Sequence, residues 1–238
     1  HRDLHPFPTR RASDLFKDTA QNIEAMKIDA VVMRHPTPGA PLHLTQHIES
    51  IVINAGDGTH EHPTQAILDM TSLQEKFGHL KGLKIGIIGD IAHSRVALSN
   101  IYGLKTMGAK VTLCGPATLI PPFAEDLGVL VNYNVDEVIE WADAINVLRI
   151  QRERMGGGLL PSVREYRNLF GITTERLKMH KKELVIMHPG PMNRGVEIDS
   201  AIADSDQAII LDQVLNGVAS RMAILYLLLG GKQEVGKN

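Results

Sequence analysis

The stretch THEHPTQAILD, residues 59–69, sets His60, Glu61 and His62 side by side just ahead of a helical pattern. Such side chains can bind a metal ion, donate to a substrate oxygen or form a polar loop with no further role. Pro63 has no amide proton to leave unpaired, so it suits the first position of a helix and puts His62 at the N-cap. The free amides of a helix start favour negative charge, so this stretch is a candidate site for an anion or an oxyanion.

Three interpretations of this stretch stay open on the residues alone. A metal would need His60, Glu61 and His62 together, but no further His, Cys or Asp set nearby completes a tetrahedral site, so a metal is disfavoured. A polar loop with no role is the second interpretation. The favoured one uses His62 as a neutral donor to a substrate oxygen, with Gln65 on the third helical position facing the same spot.

Several arginines stand where a parallel sheet would present them to a ligand. Arg34 ends the strand in VMRHPTPGAP, while Arg149 and Gln151 lie two apart at the end of the strand in DAINVLRIQRER. Residues two apart on a strand project to one side, and a guanidinium suits bidentate recognition of a carboxylate. Arg95 opens a helix after GIIGDIAHS, where a cation is unfavourable unless an anion binds there too; a solvated surface arginine is the alternative.

The glycine-containing segments indicate ligand-binding turns rather than a dinucleotide site. GIIGDIAHSR lacks the G-x-G-x-x-G pattern, and the second strand of that unit ends at Cys114 with no carboxylate for a ribose, so NAD is disfavoured. In HPGPMNRG, the turn at Pro189, Gly190 and Pro191 can aim backbone carbonyls at a ligand, and its Gly-Pro bond is a candidate cis bond. The glycines of MGGGLLPS suit either a lid or a plain connector.

The chain alternates strand-like and helix-like segments, which is typical of a doubly wound, Rossmann-like parallel α/β sheet. Residues 16–78 form one predicted lobe, residues 79–212 a second, and residues 213–238 a C-terminal helix. That helix, in QVLNGVASRMAILYLLLGG, is apolar on most faces and is predicted to be buried. PPFAEDLG and LHLTQHIE are also predicted to be helices, and Gly78 is predicted to end the helix that follows Pro63.

Composition excludes several classes of function. The net charge of −2 gives no basic field for nucleic acid or a membrane surface, and the apolar run AILYLLL is too short to span a bilayer. The single cysteine, Cys114, allows no internal disulfide and fits a reducing compartment, so we expect a cytoplasmic protein.

Residues 5–15 resemble one translated frame of a common sequencing adapter except at Ala12, so residues 1–15 are treated as a non-native segment.

A set of motifs occurs along the chain in a fixed order: MRHP, NAGDG with HPTQ and LD, GD with HSR, LRIQRER, HPGP with RG, and QVLNGVASRMA. From about Asp18 onward, the chain resembles aspartate carbamoyltransferase catalytic chains. The resemblance implies two Rossmann-like lobes of the aspartate/ornithine carbamoyltransferase fold, with the C-terminal helix returning to the first lobe. It implies transfer of a carbamoyl group from carbamoyl phosphate to L-aspartate in pyrimidine synthesis, with no metal, no cofactor and no covalent intermediate.

On the carbamoyl phosphate side, the resemblance assigns roles by motif match. It implies that Arg34 contacts the phosphate and the carbamoyl oxygen, and that His62 donates to that oxygen as it becomes an oxyanion. It also implies that Gln65 and the backbone carbonyls of Pro189 and Gly190 hold the carbamoyl NH₂ group. These residues would therefore surround the reacting carbon.

On the aspartate side, the resemblance implies that Arg95 and Arg149 bind the two carboxylates and that Gln151 supports that site. It further implies a homotrimer with sites at the subunit interfaces. Whether regulatory chains or dihydroorotase associate is left open by the sequence.

The sequence departs from the family pattern at its start. An S-T-R-T phosphate-binding helix start, and a loop with Ser and Lys that reaches a neighbouring subunit's site, are not found in it. The first lobe is therefore expected to be incomplete, and the chain as written to be inactive or nearly so. An ornithine or other amino-acid carbamoyltransferase is one alternative, although HPGP and LRIQRER stand where an ornithine enzyme should have HCLP and SMG. A non-catalytic scaffold homologue is another, although such a protein should lose His62, Arg149 or Gln151.

Overall fold

The computed structural model describes residues 12–150, 162–180 and 183–230. In the first lobe, two neighbouring strands pair in parallel and are flanked by helices, so this lobe has a small sheet of its own. Its elements in chain order are α1 (Ala12–Glu24), β1 (Ala30–His35), α2 (Ala40–Leu44), β2 (Ile51–Asp57) and α3 (Pro63–Phe77).

The second lobe is a five-stranded parallel sheet between helices. Its elements are β3 (Lys84–Ile88), α4 (Arg95–Thr106), β4 (Lys110–Cys114), β5 (Leu130–Val131), α5 (Val135–Trp141), β6 (Ala144–Val147), α6 (Val163–Phe170), α7 (Thr174–Met179), β7 (Val185–Met187) and α8 (Ser200–Ala203). The strand order is β5-β4-β3-β6-β7, and side chains such as Ile87 and Ile145 are fully buried. The predicted doubly wound α/β sheet is confirmed.

The strand order identifies where this sheet should bind a ligand. The connections run to one side from β3 through β4 to β5, and to the other side from β3 through β6 to β7. The order reverses between β3 and β6, and open parallel sheets bind ligands at the carboxyl ends of such strands. The segments that leave these two ends contain Arg95 and Arg149.

The prediction of a buried C-terminal helix is wrong. In α9 (Ile210–Gly230), the residues that pack on α3 are mostly polar or small, including Gln213, Asn216 and Ser220. Hydrogen bonds to polar side chains of α3 determine which face turns inward, so the apolar side chains point away from it. Leu211, for example, is 81% exposed. By length and composition alone α9 could also cross a membrane, but a single such helix is weak evidence.

Three further segments differ from their predictions or refine them. PPFAEDLG forms only a short 3₁₀ turn, Ala124–Leu127, because left-handed Phe123 and Gly128 bound it on both sides. The helix predicted in LHLTQHIE is shorter and begins earlier, as α2. Helix α1 begins at Ala12, inside the segment treated as non-native. Gly78, at φ 77°, ends α3 as predicted.

Candidate active site

One cavity of about 470 Å³ between the lobes contains the predicted site residues that the structure describes. Its lining residues are Arg34, His62, Gln65, Ser94, Arg95, Val96, Leu148, Arg149, Pro189, Gly190, Pro191 and Arg221. Gln151 and the glycines of MGGGLLPS lie outside the described residues, so their predictions stay predictions. The cavity is formed at the carboxyl ends of strands from both lobes, which is where a parallel sheet presents ligand-binding residues.

The first residues of α3 form one wall of the cavity. His62 is the N-cap of α3, as predicted, and its backbone N–H donates to Ser99 Oγ of α4 at 2.8 Å. Gln65, one turn on, is only 8% exposed, and its Nε2 donates to Asp69 Oδ1 at 3.0 Å. Both side chains are therefore fixed by α3 and its neighbours while they line the cavity.

The imidazole of His62 is held in its neutral form. Burial, together with the positive charges of Arg34 and Arg221, lowers the pKa of His62 to about 4. The Thr64 hydroxyl lies 3.4 Å from His62 Nδ1. If this hydroxyl donates, the ring proton resides on Nε2, so the group offers one uncharged N–H donor near neutral pH.

Arg95 is a buried cation at the start of α4. It is 7% exposed, and Ser94 caps the helix by accepting from the N–H of Ala97 at 3.2 Å. The guanidinium lies against Gly56: a Cβ atom added there would come within 2.8 Å of Arg95 Nε. Gly56 therefore leaves the space that Arg95 occupies. A cation at a helix start is electrostatically unfavourable, so an anion bound at the same place would stabilise it.

Arg149 follows the end of β6, as predicted. The backbone N–H of Leu148 donates to the carbonyl of Ile88 at 2.8 Å, so pairing with β3 continues one residue beyond the strand. Leu148 and Ile150 are both buried, whereas Arg149 between them is half-buried and lines the cavity. This alternation sets the direction of the Arg149 side chain.

The turn after β7 forms the opposite wall and contains the predicted cis bond between Gly190 and Pro191. His188, fully buried, supports it in two ways. Its Nδ1 accepts from the N–H of Gly190 at 2.8 Å, so Nε2 bears the proton and faces Glu197 Oε1 at 3.4 Å. Its backbone N–H donates to Gln213 Oε1 at 2.9 Å. The turn is thus held by buried side chains rather than by solvent-exposed contacts.

Arg221 lines the cavity but was not predicted as a site residue, although it lies in the motif QVLNGVASRMA. Arg221 lies on α9, its Nη1 donates to the carbonyl of Gly217 at 3.0 Å, and it lines the cavity. The signal that could have found it is an arginine within a mostly apolar helix. Among the described residues, no carboxylate lies within ion-pair distance of Arg34, Arg95 or Arg221, so these charges are available to a ligand.

His60 and Glu61 do not line this cavity. His60 Nδ1 lies 3.1 Å from Asp57 Oδ2, and the same carboxylate accepts from the backbone N–H of Gly39 and of Glu61. These contacts shape the loop ahead of α3. Across the part of the chain that the structure describes, no group of three or more His, Cys, Asp or Glu side chains is arranged to hold a metal ion.

The fold and the cavity define a class: a two-lobed parallel α/β protein with a cavity at a topological switch point, whose arginines and uncharged histidine suit small anions. Residues 8–75 match the carbamoyl-P binding domain, and residues 81–228 the Asp/Orn binding domain, of aspartate/ornithine carbamoyltransferase. The chain belongs to the aspartate/ornithine carbamoyltransferase family.

Individual relatives are similar over most of the chain. The aspartate carbamoyltransferase catalytic subunit of Gemmatimonas aurantiaca is 59% identical over 218 residues, which are 92% of this chain and 68% of that protein. Aspartate transcarbamoylase from Trypanosoma cruzi, in complex with N-(phosphonacetyl)-L-aspartic acid, matches with a TM-score of 0.79 at 29% identity, over 93% of this chain and 74% of that one. Ornithine carbamoyltransferase from Pyrococcus furiosus reaches 0.80 at 24% identity, over 94% and 74%, and shows the shared fold alone.

Proposed function

We propose that the chain transfers the carbamoyl group of carbamoyl phosphate to the α-amino group of L-aspartate, giving N-carbamoyl-L-aspartate and phosphate in pyrimidine synthesis. The observation that carries the proposal is the single cavity in which arginines from both lobes meet an uncharged histidine and the turn after β7. The similarity to an aspartate carbamoyltransferase catalytic subunit at 59% identity supports aspartate as the acceptor.

The reaction needs positioning and charge stabilisation more than a strong base. The lone pair of the aspartate nitrogen forms the new C–N bond, and the carbamoyl carbonyl becomes an oxyanion. Collapse of that intermediate breaks the C–O bond to phosphate, which leaves with the bonding electrons and takes the proton of the amine. Fixed donors and cations that hold both substrates together can supply most of the rate acceleration for these steps.

On the carbamoyl side, each group would act through one interaction. Arg34 binds the phosphate and the carbamoyl oxygen, and the uncharged N–H of His62 donates to the same oxygen as negative charge develops. The carbonyl oxygens of Gln65, Pro189 and Gly190 accept from the carbamoyl NH₂ group. An uncharged donor suits this role. Because the pKa of His62 is about 4, the ring carries no positive charge near neutral pH that would draw the phosphate away from the arginines.

On the aspartate side, Arg95 and Arg149 bind the two carboxylates, with Gln151 as their support. Guanidinium groups suit this task because they stay charged and pair with carboxylates through two hydrogen bonds. The buried setting of Arg95 strengthens such a pair by excluding water from it. A homotrimer in the cytoplasm, with regulatory chains or dihydroorotase as untested partners, completes the proposal.

Turnover by this chain alone is a separate matter. The Gemmatimonas relative is longer, since the matched part is 68% of its length. The low activity expected from the sequence stays a prediction. Robust formation of N-carbamoyl-L-aspartate by the purified chain would contradict it without affecting the proposed substrates.

The proposed function is tested by binding and by acceptor choice. Calorimetry with N-(phosphonacetyl)-L-aspartate measures the site without requiring turnover, and a product assay compares aspartate with ornithine as acceptor. We expect binding to be strongly weakened in His62→Ala and Arg149→Ala and retained in Arg164→Ala, which changes an exposed arginine of α6 that does not line the cavity. Absence of binding by the unchanged chain, or carbamoylation of ornithine in preference to aspartate, would contradict the proposal.

A further inference from the structure

A buried carboxylate lies behind the cavity, outside the set of residues that line it. Asp69, on α3, is fully buried, and four side-chain amides donate to it. Gln65 and Gln213 donate to Oδ1 at 3.0 and 2.7 Å, whereas Asn100 and Asn146 donate to Oδ2 at 2.7 and 3.3 Å. These donors come from α3, α9, α4 and β6, so one carboxylate joins elements of both lobes.

This arrangement fixes the direction of the amides that contact it. An ionised carboxylate can only accept hydrogen bonds, so each amide must turn its NH₂ group toward Asp69. The carbonyl oxygen of Gln65 then points away from Asp69, and Gln65 lines the cavity. Asp69 therefore determines that Gln65 presents an acceptor, and not a donor, to a ligand.

The opposite wall is tied to the same carboxylate through Gln213. Its Nε2 donates to Asp69, so its Oε1 faces the other way and accepts from the backbone N–H of His188 at 2.9 Å. His188 in turn accepts from the N–H of Gly190. Since Pro189 has no N–H and the N–H of Gly190 is engaged, the backbone of this turn can offer a ligand only carbonyl oxygens.

We propose that Asp69 is a positioning residue that makes both walls of the cavity hydrogen-bond acceptors, so that the site selects a substrate group bearing NH₂ over one bearing a methyl group. The inference rests on the proposed function, because that NH₂ is taken to be the one on the carbamoyl carbon. Asp69 touches neither substrate and acts through Gln65 and Gln213.

The surroundings of Asp69 agree with a role in orientation. Burial raises the pKa of Asp69 to about 6, against the effect of the four amide donors, which favour the charged form. No cation among the described residues lies within ion-pair distance of it. Keeping a buried carboxylate without a cation costs stability, and uncharged donors compensate only in part. A polar group retained at such a cost is a candidate for a functional role.

The test compares two ligands that differ only where the proposal says it matters. N-carbamoyl-L-aspartate and N-acetyl-L-aspartate share the two carboxylates and the carbonyl, but one bears NH₂ where the other bears CH₃. Calorimetry on the full chain at pH 8 gives the ratio of their affinities, which does not depend on the fraction of folded protein. For the unchanged chain, we expect a preference of about tenfold or more for the carbamoyl compound.

The variants separate orientation from charge and from folding. Asp69→Ala should reduce the preference to about one, because nothing then orients the amide of Gln65. Asp69→Asn should keep most of it. Its remaining oxygen can accept from the Gln65 side, while its NH₂ faces Asn100 and Asn146, whose own side-chain oxygens have no partner among the described residues. Asn100→Ala is the matched control, since it removes a donor only from the other carboxylate oxygen.

If Asp69→Ala does not fold, Gln213→Leu takes its place. It keeps the buried volume and cuts the link to His188, so the preference should fall about threefold. An unchanged preference in Asp69→Ala, or in Gln213→Leu, would overturn the inference, as would a loss in Asp69→Asn equal to that in Asp69→Ala. Equal binding of both ligands by the unchanged chain would overturn it while leaving aspartate recognition intact. Binding of neither ligand would overturn the proposed function as well.

Discussion

The two faces of the cavity are built in different ways. The cationic face consists mainly of side chains that reach the cavity from exposed positions, such as Arg34 on β1, with buried Arg95 as the exception. The acceptor face consists of Gln65 and the turn after β7, and its groups are fixed by buried hydrogen bonds to Asp69 and His188. Charge attracts anions over a distance with little demand on geometry, whereas a choice between NH₂ and CH₃ requires acceptors with one orientation. Affinity and selectivity should therefore respond to different variants.

The largest effect is expected on stability, from Asp69. Its folded pKa of about 6 lies above the unfolded value of 3.8, so between these pH values the native state binds more protons. Stability from this group is therefore lost as pH rises, by about 3 kcal/mol in total. Urea unfolding at pH 4 and pH 7 should show that the unchanged chain loses most of this amount relative to Asp69→Asn, because a small part is already lost at pH 4. If the difference in the free energy of unfolding between the two proteins does not vary with pH, the pKa of Asp69 is not raised.

A comparable effect on the cationic face is expected from Arg149. Arg149→Ala should lower the affinity for N-carbamoyl-L-aspartate by about a hundredfold, since a charge-assisted pair with a carboxylate is lost. The affinity for N-acetyl-L-aspartate should fall by the same factor, so the preference between the two ligands stays unchanged. Arg149→Lys should recover part of the affinity, because it keeps the charge but not the two parallel hydrogen bonds.

Calorimetry with both ligands checks this outcome, and Arg164→Ala serves as the control for the loss of one positive charge elsewhere. A change of preference in Arg149→Ala as large as that in Asp69→Ala would remove the distinction between the two faces.

Much of the site could be predicted from the sequence because its residues occupy special positions along the chain. His62 precedes Pro63, Arg149 follows a buried strand, and Arg95 opens a helix, so local pattern and strand order together place them at one edge. The cis bond before Pro191 was predicted on the same basis. Each of these features depends on residues that are neighbours in the sequence, so a local pattern can predict it.

What the sequence did not reveal depends on contacts between distant residues. Asp69 and Gln213 are 144 residues apart, and although both stand in motifs that the sequence shows, neither local pattern indicates that the two side chains meet. The apolar composition of α9 predicted burial, but hydrogen bonds from Asn216 to Ser72 and Glu75 turn its polar face inward. A count of apolar residues cannot anticipate which face a partner helix selects.

A smaller effect is expected where a glycine makes room for a cation. In Gly56→Ala, the new methyl group would meet Arg95 Nε at 2.8 Å, and the residue would have to keep a φ of 116°. We expect the affinity for both ligands to fall by about tenfold, with the preference between them unchanged, and Tm to fall as well. Gly78→Ala is the control: it also adds a side chain at positive φ, but into open space, so it should lower Tm without changing affinity. Equal affinity losses in the two variants would indicate general destabilisation.

The smallest effect is expected from pH acting on His62, because the charge of this side chain should not change in the working range of pH. Its folded pKa of about 4 lies below the unfolded value of 6.5, so the unfolded state binds more protons between them. Stability from His62 is therefore complete above pH 6.5 and is lost as pH falls toward 4, opposite in sign to the contribution of Asp69. NMR of the imidazole should show no titration between pH 5.5 and 8, and His62→Gln should leave the pH dependence of ligand affinity in that range unchanged. A midpoint near 6.5 would mean that the ring becomes a cation in mild acid, which would add His62 to the cationic face.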